Sequence, residues 1–192
     1  MPTLQIIIAS TRPGRVGEPV ADWFSARAEQ HGAFELDVVD LAELALPFMD
    51  EPNHPRLRRY EHQHTKEWSA RVDAADAFAL VTPEYNHSYN APLKNAIDFL
   101  HAEWRDKAIG FVSYGGAGGA RAVEQLRLMC GALEMADVTP QVTLSLMTEF
   151  EDFTVFRPGE YNVTALDKTL DQVVAWSTAF APLRAGSPVA VA

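Results

Sequence analysis

Apolar positions along this chain follow two alternating rhythms. Short, nearly continuous apolar runs read as buried strands: Leu4 to Ala9, Phe34 to Val39 (closed by Asp40), Ala77 to Val81, Ala108 to Ser113, and Val138 to Leu146, the last weakened by Pro140. Between them, apolar residues recur every three or four positions. Val20, Phe24 and Ala28 set a helix over Gly17 to His31. Tyr60, His64, Trp68, Val72 and Ala75 set one over Leu57 to Ala75, after a loop at 45–56 that holds three prolines. Leu93, Ala96, Ile97 and Leu100 set a third, with Asn90 as its N-cap and Pro92 in its first turn. Val123, Leu126, Cys130 and Leu133 set a fourth over Ala120 to Met135. Leu166, Leu170, Val173, Val174 and Ser177 set the last over Tyr161 to Phe180.

Strands that alternate with helices form a parallel sheet covered on both faces. Five strands favour the order 2-1-3-4-5, whose crevice lies at the carboxyl ends of strands one and three. Residues 1–181 form one domain in this reading, and 182–192 a frayed tail.

Three unusual loops follow strands one, three and four. The first, Ser10-Thr11-Arg12-Pro13-Gly14-Arg15-Val16-Gly17, carries two hydroxyls, two arginines and two glycines just before a helix. Amides at a helix N-terminus, with hydroxyls and guanidinium beside them, suit a phosphate. It lacks the Gly-Lys-Ser/Thr of a Walker A loop and the dinucleotide Gly-x-Gly-x-x-Gly turn, and Cys130 has no arginine at a phosphatase loop's spacing. The second, Pro83-Glu84-Tyr85-Asn86-His87-Ser88, offers a rigid turn, an aromatic face and an amide, suited to a flat heteroaromatic ligand. The third runs from Ser113 and Tyr114 through Gly115 and Gly116 to Gly119, where missing side chains bring backbone amides close to a planar ring. Taken singly, these loops read equally as an exposed basic turn, packing aromatics and a flexible glycine turn.

Composition narrows the partners. The chain has 192 residues, 47% of them apolar, and a net charge of −10 from 26 acidic and 16 basic side chains. That balance argues against a nucleic-acid or anionic-membrane partner, since both need a basic field. One cysteine excludes an intrachain disulfide, and no secretory signal or membrane-length apolar run is visible, which points to the cytoplasm. His54, His62 and His64 read as a solvated face rather than a metal site. Asp40 reads as a cap, Cys130 as core, and Glu84 as a structural loop residue.

In that order the three loops, together with Pro92-Leu93-Lys94-Asn95-Ala96-Ile97-Asp98, resemble the NADPH-dependent FMN reductases, relatives of quinone, chromate and azo-dye reductases. The resemblance covers residues 3 to 180. It implies a flavodoxin-like three-layer α/β sandwich, FMN as cofactor, and NADPH or NADH as hydride donor. It gives the FMN phosphate to Ser10, Thr11, Arg12, Arg15, Val16 and Gly17. It places the isoalloxazine along Pro83, Glu84, Tyr85 and Asn86, and its pyrimidine side at Ser113, Tyr114, Gly115 and Gly116. No side chain is assigned a catalytic role, because hydride passes from nicotinamide to flavin without a protein acid or base. The electron acceptor is a small molecule such as a quinone. The apolar surface of residues 92–104 and the resemblance together imply a homodimer or homotetramer. A flavodoxin-type electron carrier and a domain that has lost its flavin are the competing readings. Two departures from the family pattern stand out: Ala9-Ser10 where many relatives have Gly-Ser, and Tyr89-Asn90 before the helix.

Overall fold

A computed structural model of the chain describes residues 1–186. Five strands, β1 (Thr3–Ile8), β2 (Glu35–Asp40), β3 (Ala77–Pro83), β4 (Ala108–Gly115) and β5 (Ala136–Ser145), form one parallel sheet in the order β2-β1-β3-β4-β5. The main helices are α1 (Gly17–His31), α3 (Gln63–Asp73), α4 (Ala91–Asp98), α5 (Ala120–Ala132) and α6 (Glu160–Arg184). A single short turn, α2 (Leu41–Leu44), follows β2.

Side chains alternate across the sheet, so each strand feeds two cores. Leu4, Ile6 and Ile8 point toward Val20 and Phe24 of α1 and toward Leu166 and Leu170 of α6. Ile7 and Ala9 point the other way, toward Trp68, Leu93 and Val123 of α3, α4 and α5. Each fully buried Leu, Ile or Phe contributes about 1.5–3 kcal/mol. This two-sided burial is why the strands read as continuous apolar runs.

The structure refines the sequence reading at several places. The helix expected from Leu57 begins only at Gln63. Pro55–Leu57 form a single 3₁₀ turn, Arg58 is left-handed (φ 49°), and the Glu51 carboxylate accepts from the amides of Glu61 and His62. Tyr60 is thereby released from the helix, and its hydroxyl donates to the buried Glu103 (2.8 Å). The strand containing Pro140 holds because it lies at the sheet edge, where a missing donor is tolerated, and its register slips opposite Ile109 and Phe111. The last helix continues through Pro182 to Arg184, two residues past the expected start of the tail at Pro182. Arg184 is pinned by Asp76 Oδ1 (2.9 Å) and the Asp106 carbonyl (3.2 Å). Residues 187–192 lie outside the described residues. Finally, a two-stranded antiparallel hairpin, β6 (Phe150–Glu151) and β7 (Val155–Phe156), fills a stretch with no apolar rhythm in the sequence.

The apolar surface of residues 92–104 is absorbed within the chain. Ile97, Leu100 and Trp104 are buried, and Trp104 packs edge-on against Trp68 and Phe78. Among the described residues, no helix is long and apolar enough to cross a membrane.

Candidate functional site

The carboxyl ends of β1, β3 and β4 open on one cavity of about 320 Å³, at the place where the strand order reverses. Its wall is built by three loops that are bonded to one another. Tyr85 Oη lies 3.3 Å from Ser10 Oγ, which joins the second loop to the first. The Glu84 amide donates to the Tyr114 carbonyl (2.9 Å), and its carboxylate accepts from the Arg121 amide (3.1 Å) and guanidinium (2.9 Å). Glu84 thus ties the second loop to the first turn of α5, where an acid meets the positive end of the helix.

In the first loop the two arginines do different things. Arg15 leaves about a tenth of its side chain exposed and bonds Asp40 through both ends of its guanidinium (2.7 Å for the longer contact). It also reaches Glu18 and the Ser10 carbonyl. These bonds hold its charged form strongly, above the ordinary arginine range. Burial pushes the Asp40 carboxyl upward, but the bonds from Arg15 and the Ala42 amide outweigh it and leave the group below its usual value. Asp40 therefore caps α2 and clamps the loop to β2. Arg12 is exposed, and its guanidinium makes no ion pair or hydrogen bond among the described residues. The Arg15 amide donates to the Arg12 carbonyl (3.2 Å), whereas those of Thr11, Arg12, Gly14 and Val16 have no protein acceptor among the described residues.

Two glycines are forced by close approach. A Cβ on Gly17 would stand 2.7 Å from the Tyr114 hydroxyl. One on Gly119 (φ 77°) would stand 2.6 Å from Ser113 Cβ and 2.8 Å from the Tyr114 amide. The buried Tyr114 hydroxyl lies near Ser10 but makes no hydrogen bond of normal geometry, and burial pushes its pKa far up.

The donor set fits a phosphorylated, flat ligand. The Ser10 hydroxyl, the uncommitted Arg12 guanidinium and first-loop amides without an acceptor stand at the cavity together with Tyr85 and Gly115.

Residues 2–149 match the sequence profile of the NADPH-dependent FMN reductases. The chain belongs to the NADPH-dependent FMN reductase family. It is 38% identical over 147 residues to the NAD(P)H-dependent FMN reductase of Schizosaccharomyces pombe, with 74% of each chain covered. It is 27% identical over 158 residues to the FMN-dependent NADPH-azoreductase of Staphylococcus saprophyticus, with 81% of each covered. In fold it is similar to the flavoenzyme NAD(P)H:(acceptor) oxidoreductase FerB of Paracoccus denitrificans. The TM-score is 0.72 at 21% identity, covering 94% of this chain and 99% of that one.

Of the residues that the family resemblance nominates, the cavity gathers Ser10, Arg12, Arg15, Val16, Pro83, Glu84, Tyr85, Tyr114 and Gly115. Five nominees lie off its wall. Thr11 turns to a separate apolar cleft with Leu46, Pro47, Phe48 and Pro92. Gly17 sits behind Tyr114. Ser113 is buried beneath the third loop, its Oγ donating to the Gly118 carbonyl (2.8 Å), which braces the glycine turn. Asn86 forms the turn itself: Asn86 (φ 51°) and His87 (φ 67°) are both left-handed, and Tyr85 and Ser88 exchange backbone bonds around them. Gly116 borders open space. Asn90 begins α4 as expected, yet its side chain donates to the Ala9 carbonyl (2.6 Å) instead of capping, which steadies the start of the first loop. Sequence reasoning missed Gly14, Leu146, Phe153 and Thr154. Gly14 lay inside the quoted motif; the other three follow β5 and carry no motif.

Proposed function

We propose that the cavity holds FMN with its phosphate over the first loop and its ring beside the second and third. The chain is an FMN-dependent NAD(P)H oxidoreductase. Bound there, FMN would supply the redox chemistry that links hydride oxidation of NAD(P)H to reduction of a small acceptor such as a quinone or azo compound. The chain's own residues bind and orient. Ser10 Oγ, the Arg12 guanidinium and the free loop amides hold the phosphate, and Arg15 keeps them in place through Asp40. Pro83, Glu84, Tyr85 and Asn86 fix one side of the ring. The amides of Gly115 and Gly116 serve its electron-rich edge, where negative charge grows on reduction. Ser113 and Gly17 act from behind the wall, and Thr11 through its amide. No side chain acts as acid or base, so one site serves donor and acceptor in turn, with ping-pong kinetics.

The single observation behind this reading is the convergence of three separately coded loops on one cavity with uncommitted phosphate donors. Titration of FMN into the purified protein, followed by flavin fluorescence, tests it. Saturable binding at one FMN per chain, with NADPH oxidised by a quinone only after loading, is the expected result; no binding refutes it. We further propose a cytoplasmic homo-oligomer. Phe48 and Met49, exposed beside α4, are among the apolar side chains that can form its contact, whereas the helix's own are buried.

A further inference from the structure

A hairpin between β5 and α6 stands at the same cavity. Its base is fixed: Phe150 is buried, the Phe150 and Phe156 rings meet at a tilt with centroids 5.1 Å apart, and Trp23 of α1 meets Phe156 edge-on at 5.4 Å. The Arg157 amide donates to the Glu149 carbonyl (2.8 Å), which closes the base. Its tip is different. The turn Glu151–Thr154 closes by a bond from the Thr154 amide to the Glu151 carbonyl (3.1 Å), and both central residues are left-handed, Asp152 at φ 51° and Phe153 at φ 59°. Asn-Gly is the pair that such a turn favours, and a bulky aromatic residue there is strained. Among the described residues, Phe153 joins neither the hairpin's aromatic pairs nor the buried core. Its ring is 56% exposed and, with Thr154 and Leu146, lines the cavity that also holds Arg12, Gly14 and Tyr85. Local strain kept at the rim of a site, on a rigid base, marks a residue held for the ligand rather than for the fold.

We propose that this tip is a clasp on the bound nucleotide, with Phe153 as the positioning residue that slows its release. The inference rests on the FMN reading above. An aromatic face against a flat or polyol ligand excludes water from one side of it and adds stacking area. The phosphate loop supplies charge, whereas the clasp supplies residence time.

The test measures FMN dissociation by stopped-flow fluorescence in the full chain. The variants are Phe153→Leu, Phe153→Ala and the double change Asp152→Asn with Phe153→Gly. The double change relieves the turn, so its melting temperature stays equal or rises, while FMN leaves about tenfold faster. Phe153→Ala releases FMN comparably fast, and Phe153→Leu stays within about threefold of the parent. Trp23 emission, read as the difference between each protein and its Trp23→Phe counterpart because the chain holds four tryptophans, reports the seated hairpin and is unchanged in all three. Unchanged release in both the alanine and the double variant, with Trp23 emission unchanged, overturns the clasp and leaves the FMN site standing. Failure of the parent chain to bind FMN overturns both, and is seen before any variant is made.

Discussion

Removing either arginine of the first loop deletes one positive charge within a few residues of the same ligand, yet the two losses fall in different places. Arg12 is exposed and uncommitted. A charge-assisted hydrogen bond from it to the FMN phosphate is worth about 1.5–3 kcal/mol. At about 1.4 kcal/mol per decade, Arg12→Ala weakens FMN binding by roughly 10- to 150-fold. Riboflavin, which lacks the phosphate, binds the variant as it binds the parent, and the melting temperature of the free protein does not move. Arg15 is committed to Asp40, Glu18 and the Ser10 carbonyl. Arg15→Ala leaves Asp40, with only 12% of its side chain exposed, without its charged partner and with only the Ala42 amide to bond it. That costs about 2–3 kcal/mol of stability, somewhat below the figure for a fully buried pair. For a chain of this size it lowers the melting temperature by roughly 4–12 °C. Because the loop's start is displaced, riboflavin binding weakens together with FMN binding. The assay is paired fluorescence titration with both flavins, plus thermal melts of the free proteins. Equal losses for FMN and riboflavin in Arg12→Ala contradict the phosphate role of Arg12. A stable Arg15→Ala that loses FMN affinity alone makes Arg15 a phosphate ligand and refutes its bracing role.

Three further outcomes follow from the same contacts. Asp40 keeps its proton less readily in the folded state, so its pair stabilises the fold above the ordinary carboxylate range near pH ~4. That stability is lost as pH falls through the lower folded value, and acid melts of Asp40→Asn show a shallower fall there than the parent. Lys107 is buried, donates to the carbonyls of Val72 and Asp73, and desolvation pushes it down to about 8. The unfolded chain then binds more protons between pH ~8 and ~10.4, so stability rises with pH across that window by on the order of 3 kcal/mol. Lys107→Met removes that rise in denaturant titrations at a series of pH values; a rise that persists in the variant refutes the assignment. Gly17→Ala drives a methyl into the Tyr114 hydroxyl and costs about 1–3 kcal/mol. Adding Tyr114→Phe restores most of that stability in a double-mutant cycle, whereas purely additive losses contradict the contact.

What the sequence made legible, and what it left out, follows from where each signal comes from. Ile6, Ile7 and Ile8 face both cores, so their run announces a central strand, and the alternation with α1, α4 and α5 gives the parallel order. The three loops were legible because their residue types are unusual for turns. Direction was not legible. Arg12 and Arg15 look alike in sequence, and only the fold brings Asp40, from the end of a neighbouring strand, onto Arg15. Thr11 and Ser10 differ by one position and face different cavities. The start of α3 was misread because the Glu51 carboxylate, twelve residues before Gln63, decides where that helix begins by holding the Glu61 and His62 amides. The hairpin at Phe150–Phe156 left no trace because its strands are two residues each and its turn lacks Asn-Gly. The burial of Trp104 against Trp68 and Phe78 was likewise invisible, which made α4 look more exposed than it is.

A crystal structure of the chain with FMN tests the central claim most directly. The account predicts the phosphate against Ser10, Arg12 and the first-loop amides, the ring between Tyr85 and Gly115, and the Arg15–Asp40 pair intact. Flavin density elsewhere, or a phosphate bound away from that loop, contradicts it.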